Sequence, residues 1–231
     1  MEIRIGVVAA FLGVMLAASA ANADVLYSDG PVNGNNDGLT INFGFAVADS
    51  FTLTSASTVT GLDFYTWNTP GDTLDTIQWE ILNAEPNNSP TTIYSGNTSS
   101  TQSDVSGLDP NNYGFDVELQ QISLGSDALA AGTYWIELSN AVSANDNPIY
   151  WDLNGGPSGA WQSGVGDISN TSDCGSSTFD NSGSDHCAEA FSVIGPTVAT
   201  AVPEPATLAL FGAGLLGLGF MYRRRAVKPA L

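Results

Sequence analysis

Apolar residues recur at every second position through most of this chain, and that period admits few folds. In "YGFDVELQQI" from Tyr113, Phe115, Val117 and Leu119 alternate with Asp116, Glu118 and Gln120. In "GTYWIELS" from Gly132, Tyr134, Ile136 and Leu138 share one face, opposite Trp135 and Glu137. A period of two is the signature of a strand with one buried face. The same reading gives strands at "VLYS" (Val25), "LTINFGFAV" (Leu39), "DSFTL" (Asp49), "TVTGLDFY" (Thr58), "TIQWEIL" (Thr76), "IYWDL" (Ile149) and "EAFSVI" (Glu189). Between them stand "SDGPVNGNNDG", "NTPGD", "NAEPNNSP", "LDPNN", "SANDNP" and "NGGPSG". In these clusters Gly supplies positive φ, and Asn and Asp bond their own turns. One short helical piece is expected, around "SDALAAG" at Ser126. Eight or more strands at this spacing predict an all-β chain, an antiparallel β-sandwich of jelly-roll type.

Both ends depart from that pattern. "MEIRIGVVAAFLGVMLAASAANA" has one basic residue, Arg4, an apolar run, and small residues at Ala21 and Ala23. This is the layout of a secretory signal peptide over residues 1–23. The sandwich domain is expected over 24–195, a linker over 196–202, and a distinct tail over 203–231.

Charge narrows the partners. The five basic residues are Arg4, Arg223, Arg224, Arg225 and Lys228, so the 24–195 domain has no Lys or Arg. Of the 24 acidic residues only Glu2 and Glu204 lie outside it, leaving 22 carboxylates against one histidine, His186. Nucleic acid and anionic lipid are bound through Lys and Arg contacts to phosphate. Neither is a partner for this domain. An anionic polysaccharide would be repelled unless divalent cations bridged the two surfaces, and trypsin has no site between Asp24 and Arg223.

Cys174 and Cys187 bracket "CGSSTFDNSGSDHC" in a chain read as exported, where such a pair is expected to form a disulfide. Closing a loop of about 14 residues stabilises by roughly 3 kcal/mol on the chain-entropy model. The competing reading joins both thiols to His186 and a carboxylate around a metal, without zinc-type spacing. Asp173, Asp180 and Asp185 lie in or beside the same loop and form the candidate calcium cluster; calcium is the one cofactor for which the sequence leaves room. "NGNNDG" sets Asn33, Asn35, Asp37 and Gly38 at early EF-hand positions, but Gly44 falls where a bidentate Glu is required, so an Asn-rich turn is expected there.

Five tryptophans could stack on sugar rings. Trp79 and Trp135 lie inside strand patterns, which leaves Trp161, in "GGPSGAWQSG", and Trp151 as candidate glycan contacts. No G-x-S-x-G elbow, H-E-x-x-H pair or phosphate loop is present. Two carboxylates suffice for glycoside hydrolysis, but nothing pairs any two of the 22. The expectation is a non-enzymatic exported protein. A glycan-binding module is the alternative, and a carboxylate-dependent glycosidase is a third reading.

The tail reads "VPEPATLALFGAGLLGLGFMYRRR". Ala206 to Tyr222 are 17 residues without a charge. As a helix they would span about 25 Å, a little under a ~30 Å hydrocarbon core. Arg223, Arg224, Arg225 and Lys228 would hold the C-terminus in the cytoplasm, giving one membrane span with the bulk outside. Pro203-Glu204-Pro205, a glycine-rich apolar span and an arginine cluster, in that order at the chain end, resemble the sorting tail of PEP-CTERM domain proteins of Gram-negative bacteria. The resemblance covers about 30 of 231 residues. It implies an exosortase-type processing enzyme as partner, with Pro203, Glu204 and Pro205 as recognition residues and Arg223 to Arg225 fixing topology. It further implies a membrane-anchored precursor, a mature form at the cell surface or outside it, and an association with exopolysaccharide or biofilm.

Overall fold

A computed structural model describes residues 23–34, 37–163, 166–167, 188–196 and 214–215. In chain order the strands are β1 (Ala23–Ser28), β2 (Gly38–Thr40), β3 (Ala46–Leu53), β4 (Ser57–Asn68), β5 (Leu74–Leu82), β6 (Thr92–Ser99) and β7 (Thr101–Asp104). They continue as β8 (Asp116–Leu129), β9 (Gly132–Ser143), β10 (Ile149–Asn154), β11 (Ala160–Gln162), β12 (Gly166–Asp167), β13 (Ala188–Glu189) and β14 (Phe191–Pro196). Among the described residues one 3₁₀ turn, Pro86–Asn88, interrupts them.

Every pairing is antiparallel, in two sheets. The larger runs β1-β14-β4-β10-β13, with β2 added on β10 and β8 and β7 added beyond β4. In its centre β4 pairs with β8 along nearly its whole length on one edge. Its other edge is shared end to end by β14 and β10. The smaller sheet runs β12-β11-β3-β9-β5-β6. The two sheets bury one core between them, and the expected β-sandwich is the fold.

Alternation explains the core. On β3 the inward positions are Val47, Phe51 and Leu53; on β9, Ile136 and Leu138; on β4, Leu62 and Phe64. Trp151 lies edge-on to Phe64 at 6.0 Å and to Phe191 at 5.7 Å, with ring planes 69° apart in both pairs. Edge-to-face pairs of this kind add about 0.5–1.5 kcal/mol each beyond their area burial.

Three local expectations are corrected. Residues 126–129 are strand, not helix: Ser57 and Thr58 of β4 pair with Leu129 and Ala128, and Gly125 at φ 98° turns a bulge there. Ladder bonds to β4 outweigh the helix preference of an Ala/Leu-rich run. "LTINFGFAV" is not one strand. Phe43 (φ 56°) and Gly44 (φ 88°) form a tight turn closed by the Phe45 amide donating to the Asn42 carbonyl at 3.1 Å, and "DSFTL" continues β3. On β8 the inward face carries Glu118, Gln120, Ile122 and Leu124, not Val117 and Leu119. Val117 is buried as well, because the segment at Gly34 and Leu108 covers the outer face above it.

Candidate functional site

Of the residues singled out from sequence, Asp173, Asp180, Asp185, Cys174, Cys187 and His186 lie outside the described residues. So do Pro203, Glu204, Pro205, Arg223, Arg224 and Arg225. Within the apolar tail Gly214 and Leu215 are helical, and among the described residues no helix is long and apolar enough to cross a membrane. The turn at Asn33 bonds inward: Asn33 Nδ2 donates to the Leu153 carbonyl at 3.0 Å, and Asp37 Oδ1 accepts the Gly38 amide at 2.8 Å.

The two candidate sugar-stacking rings separate. Trp151 is fully buried, donates Nε1 to the Ala190 carbonyl at 3.2 Å and packs on Phe64 and Phe191, so no glycan can lie on it. Trp161 is half-buried on β11, with a buried Nε1 that lacks a partner. A different aromatic group occupies the outer face of the larger sheet. Trp67 and Tyr150 pair across β4 and β10, and Val117 pairs with Trp67 across β8, so all three share that face. Tyr113 stacks on Trp67 at 5.4 Å and is 56% exposed; Phe115 sits 6.0 Å from Trp67 and 5.5 Å from Tyr150.

Buried carboxylates are the least expected feature. Asp29, Asp49, Asp152 and Glu189 are each 0% exposed. Asp49 alternates with Val47 and Phe51 on β3, and Glu189 pairs with Leu153 on β10. The Glu189 amide donates to Asp49 Oδ2 at 2.6 Å, which joins the two sheets at this point. Asp49 Oδ1 accepts the Ser50 amide at 2.6 Å. Asp29, just past β1, accepts the Tyr27 hydroxyl at 2.9 Å, the Ser158 amide at 3.3 Å and a short bond from Ser158 Oγ. Neither carboxyl oxygen of Glu189 has a hydrogen-bond partner.

Burial is the main cause that raises all four carboxyls above their ordinary values. Asp49 is raised further by the charge of Asp29, and Glu189 by Asp49, Asp152, Asp29 and Asp37 in turn. Asp152 reaches about 7 although Trp67 Nε1 (2.6 Å), the Gly34 amide (3.1 Å) and the Asn33 amide (3.2 Å) all donate to it. With no Lys or Arg in the domain, no ammonium or guanidinium side chain is there to pair with these groups. Among the described residues no three His, Cys, Asp or Glu side chains stand together as a metal site. Asp49 links β3 to β13 through the Glu189 amide, Asp29 holds Tyr27 of β1 and Ser158, and Asp152 joins β10 to Trp67 of β4 and to the turn at Asn33 and Gly34. Sequence reasoning passed over these groups, although the signal was there: Asp49 and Glu189 fall on the apolar phase of "VADSFTL" and "EAFSV".

No curated protein matches this chain. A family model does: residues 201–225 match the PEP-CTERM protein-sorting motif. The 24–195 domain is assigned to no family by that match. The motif indicates an exported protein, anchored in the membrane before processing by an exosortase-type enzyme, and sorted to the cell surface or the extracellular space.

Proposed function

We propose that the 24–195 domain is a non-enzymatic component of the cell surface or extracellular matrix, held there beside exopolysaccharide. The match at residues 201–225 carries this reading. It is supported by the chemistry of the domain in front of it. A domain with 22 carboxylates, most of them outside the core, and no Lys or Arg repels its own copies and other polyanions. It stays dispersed until salt or divalent cations screen that repulsion. Such a surface suits a polymer-rich, cation-bearing matrix. The test is fractionation of cells that produce the full chain, with immunodetection in cytoplasm, envelope, matrix and medium, and sugar-release assays on the purified matrix polysaccharide. The expected result is protein in the envelope or matrix with no sugar released. Retention in the cytoplasm contradicts the proposal, and so does release of sugar that a single carboxylate substitution abolishes.

A second reading, a glycan-binding module, draws on one observation: the exposed Tyr113 ring, stacked on Trp67, with its amide held by Asn111 Oδ1. Affinity electrophoresis in the same polysaccharide tests it. Retardation lost in Tyr113→Ala supports binding at this face; equal mobility of both proteins with and without polysaccharide removes it.

A further inference from the structure

At the end of the sandwich where β7 meets β8, the inner face of the larger sheet turns from apolar to oxygen-bearing. Antiparallel partners share a face, as do residues two apart on one strand. Asn68 pairs with Asp116, Thr66 and Asp104 both pair with Glu118, and Gln102 pairs with Gln120. The neutral members satisfy one another. Gln120 Nε2 donates to Thr66 Oγ1 at 2.9 Å and to Gln102 Oε1 at 3.1 Å, and Ser100 Oγ donates to Gln120 Oε1 at 2.7 Å.

What remains is a set of acceptors without donors. Asn68 is 0% exposed and its Oδ1 has no partner; Glu118 is 4% exposed and its Oε2 has none. Asp116 Oδ2 accepts the Gly71 amide at 2.9 Å. The carboxyls of Asp104 and Glu118 are within hydrogen-bond reach of each other, as are those of Asp109 and Asp116. Like charges placed directly across a ladder are unfavourable, and the domain has no cationic side chain to separate them. Burial first, then the contact with Asp104 and the charges of Asp104, Asp109 and Asp116, push Glu118 up to about 7. For Asp109 the contact with Asp116 acts first, then burial and the neighbouring charges, again upward.

We propose that Asn68, Asp104, Asp109, Asp116 and Glu118 bind a divalent cation of the calcium type. Carboxylates with an amide carbonyl and water are the ligands calcium prefers, and its loose geometry tolerates a set drawn from three strands and a loop. Among the described residues no imidazole or thiolate is present to favour zinc. The carboxyls meet as two pairs, not as three convergent ligands. Closing them on an ion needs rotation of Asp104 and Asp109, whose side chains are both on the surface. The buried acceptors Asn68 Oδ1 and Glu118 Oε2 form the fixed floor, and Asp109 opens the site to solvent. The site stands whether or not the domain meets polysaccharide.

The test is calcium titration by calorimetry on the chelator-stripped full chain at about pH 8. Wild type is compared with the double variant Asp104→Asn/Asp109→Asn and with Glu118→Gln. Calcium held by Asp173, Asp180 or Asp185 would remain in every variant and drop out of the comparison. The expected result is that one bound ion is lost, or held at least about tenfold more weakly, in both variants. Loss of an outer-shell partner alone costs metal sites about 10–100-fold. Far-UV circular dichroism checks folding, and the double variant, altered only at the surface, carries the test if Glu118→Gln fails to fold. The proposal is overturned if wild type binds no calcium up to ~10 mM, beyond the 10⁻³ M range of weak extracellular sites. It is equally overturned if the double variant binds as many ions as wild type with equal affinity.

Discussion

Raising the pH from about 4 to 8 is predicted to weaken this protein, over a range where most domains gain or hold stability. Asp152 allows the size to be worked out. It is 0% exposed on β10, and burial outweighs its three donors to raise its carboxyl from 3.8 to about 7. Between those values the folded chain holds a proton that the unfolded chain has released. Stability therefore falls with rising pH, by ~1.4 kcal/mol for each pH unit. Across the window the loss is about 4 kcal/mol, a large share of the 5–15 kcal/mol typical of a folded domain. Asp29, Asp49 and Glu189 are raised too and act in the same direction. Asp72 opposes them: burial would raise it, but bonds from Asn147, Thr73 and Asn145 prevail and lower it. Its stabilisation is complete above its ordinary value and lost only as the pH falls through the lowered one, so it leaves this window untouched. The assay is urea unfolding at steps between about pH 4.5 and 8, with chelator present. Asp152→Asn can keep the Oδ1 bonds to Trp67 Nε1 and the Gly34 amide while removing the titration. From pH 4.5 to 8 its stability should decline less than wild type, by about 3 kcal/mol. A wild-type stability that is flat or rises from pH 4.5 to 7, or an unchanged slope in Asp152→Asn, would refute the reasoning.

Two further predictions concern packing. A Cβ at Gly96 would lie 2.8–2.9 Å from the buried Trp79 indole, so Gly96→Ala should destabilise by about 1–3 kcal/mol through overpacking, read as a lower thermal midpoint. Phe191, 0% exposed against Trp151 and Tyr27, should cost about 3–5 kcal/mol on truncation to Ala, measured as a lower urea midpoint at unchanged m.

Strand existence was legible because the sandwich buries one face of most strands, and a period of two records that directly. It failed where both faces are covered. On β8 the outer face lies under Gly34, Leu108 and the Trp67 cluster, so the alternation of Phe115 to Gln120 no longer reports which side is inside. The expected helix at Ser126 failed because a bulge at Gly125 and pairing to β4 are long-range facts. Trp151 and Trp161 look alike in sequence; only the seating of β10 between Phe64 and Phe191 sends the first into the core. The buried carboxyls were half legible. Asp49 and Glu189 sit in apolar phase, but that they meet across the sheets depends on the fold. Asp104 and Glu118, fourteen residues apart, become neighbours only through the β7–β8 register. The sorting motif was legible because its three parts are contiguous, and residues 201–225 match it.

The central claim is delivery to the outside through that tail, and the intact mass of the mature chain tests it most directly. Purified from the envelope and matrix, the protein is predicted to begin near Asp24 and to end near Pro205, without the apolar span and without Arg223 to Arg225. A chain whose mass still includes Met1 and the arginine cluster, recovered from the cytoplasm, would contradict it.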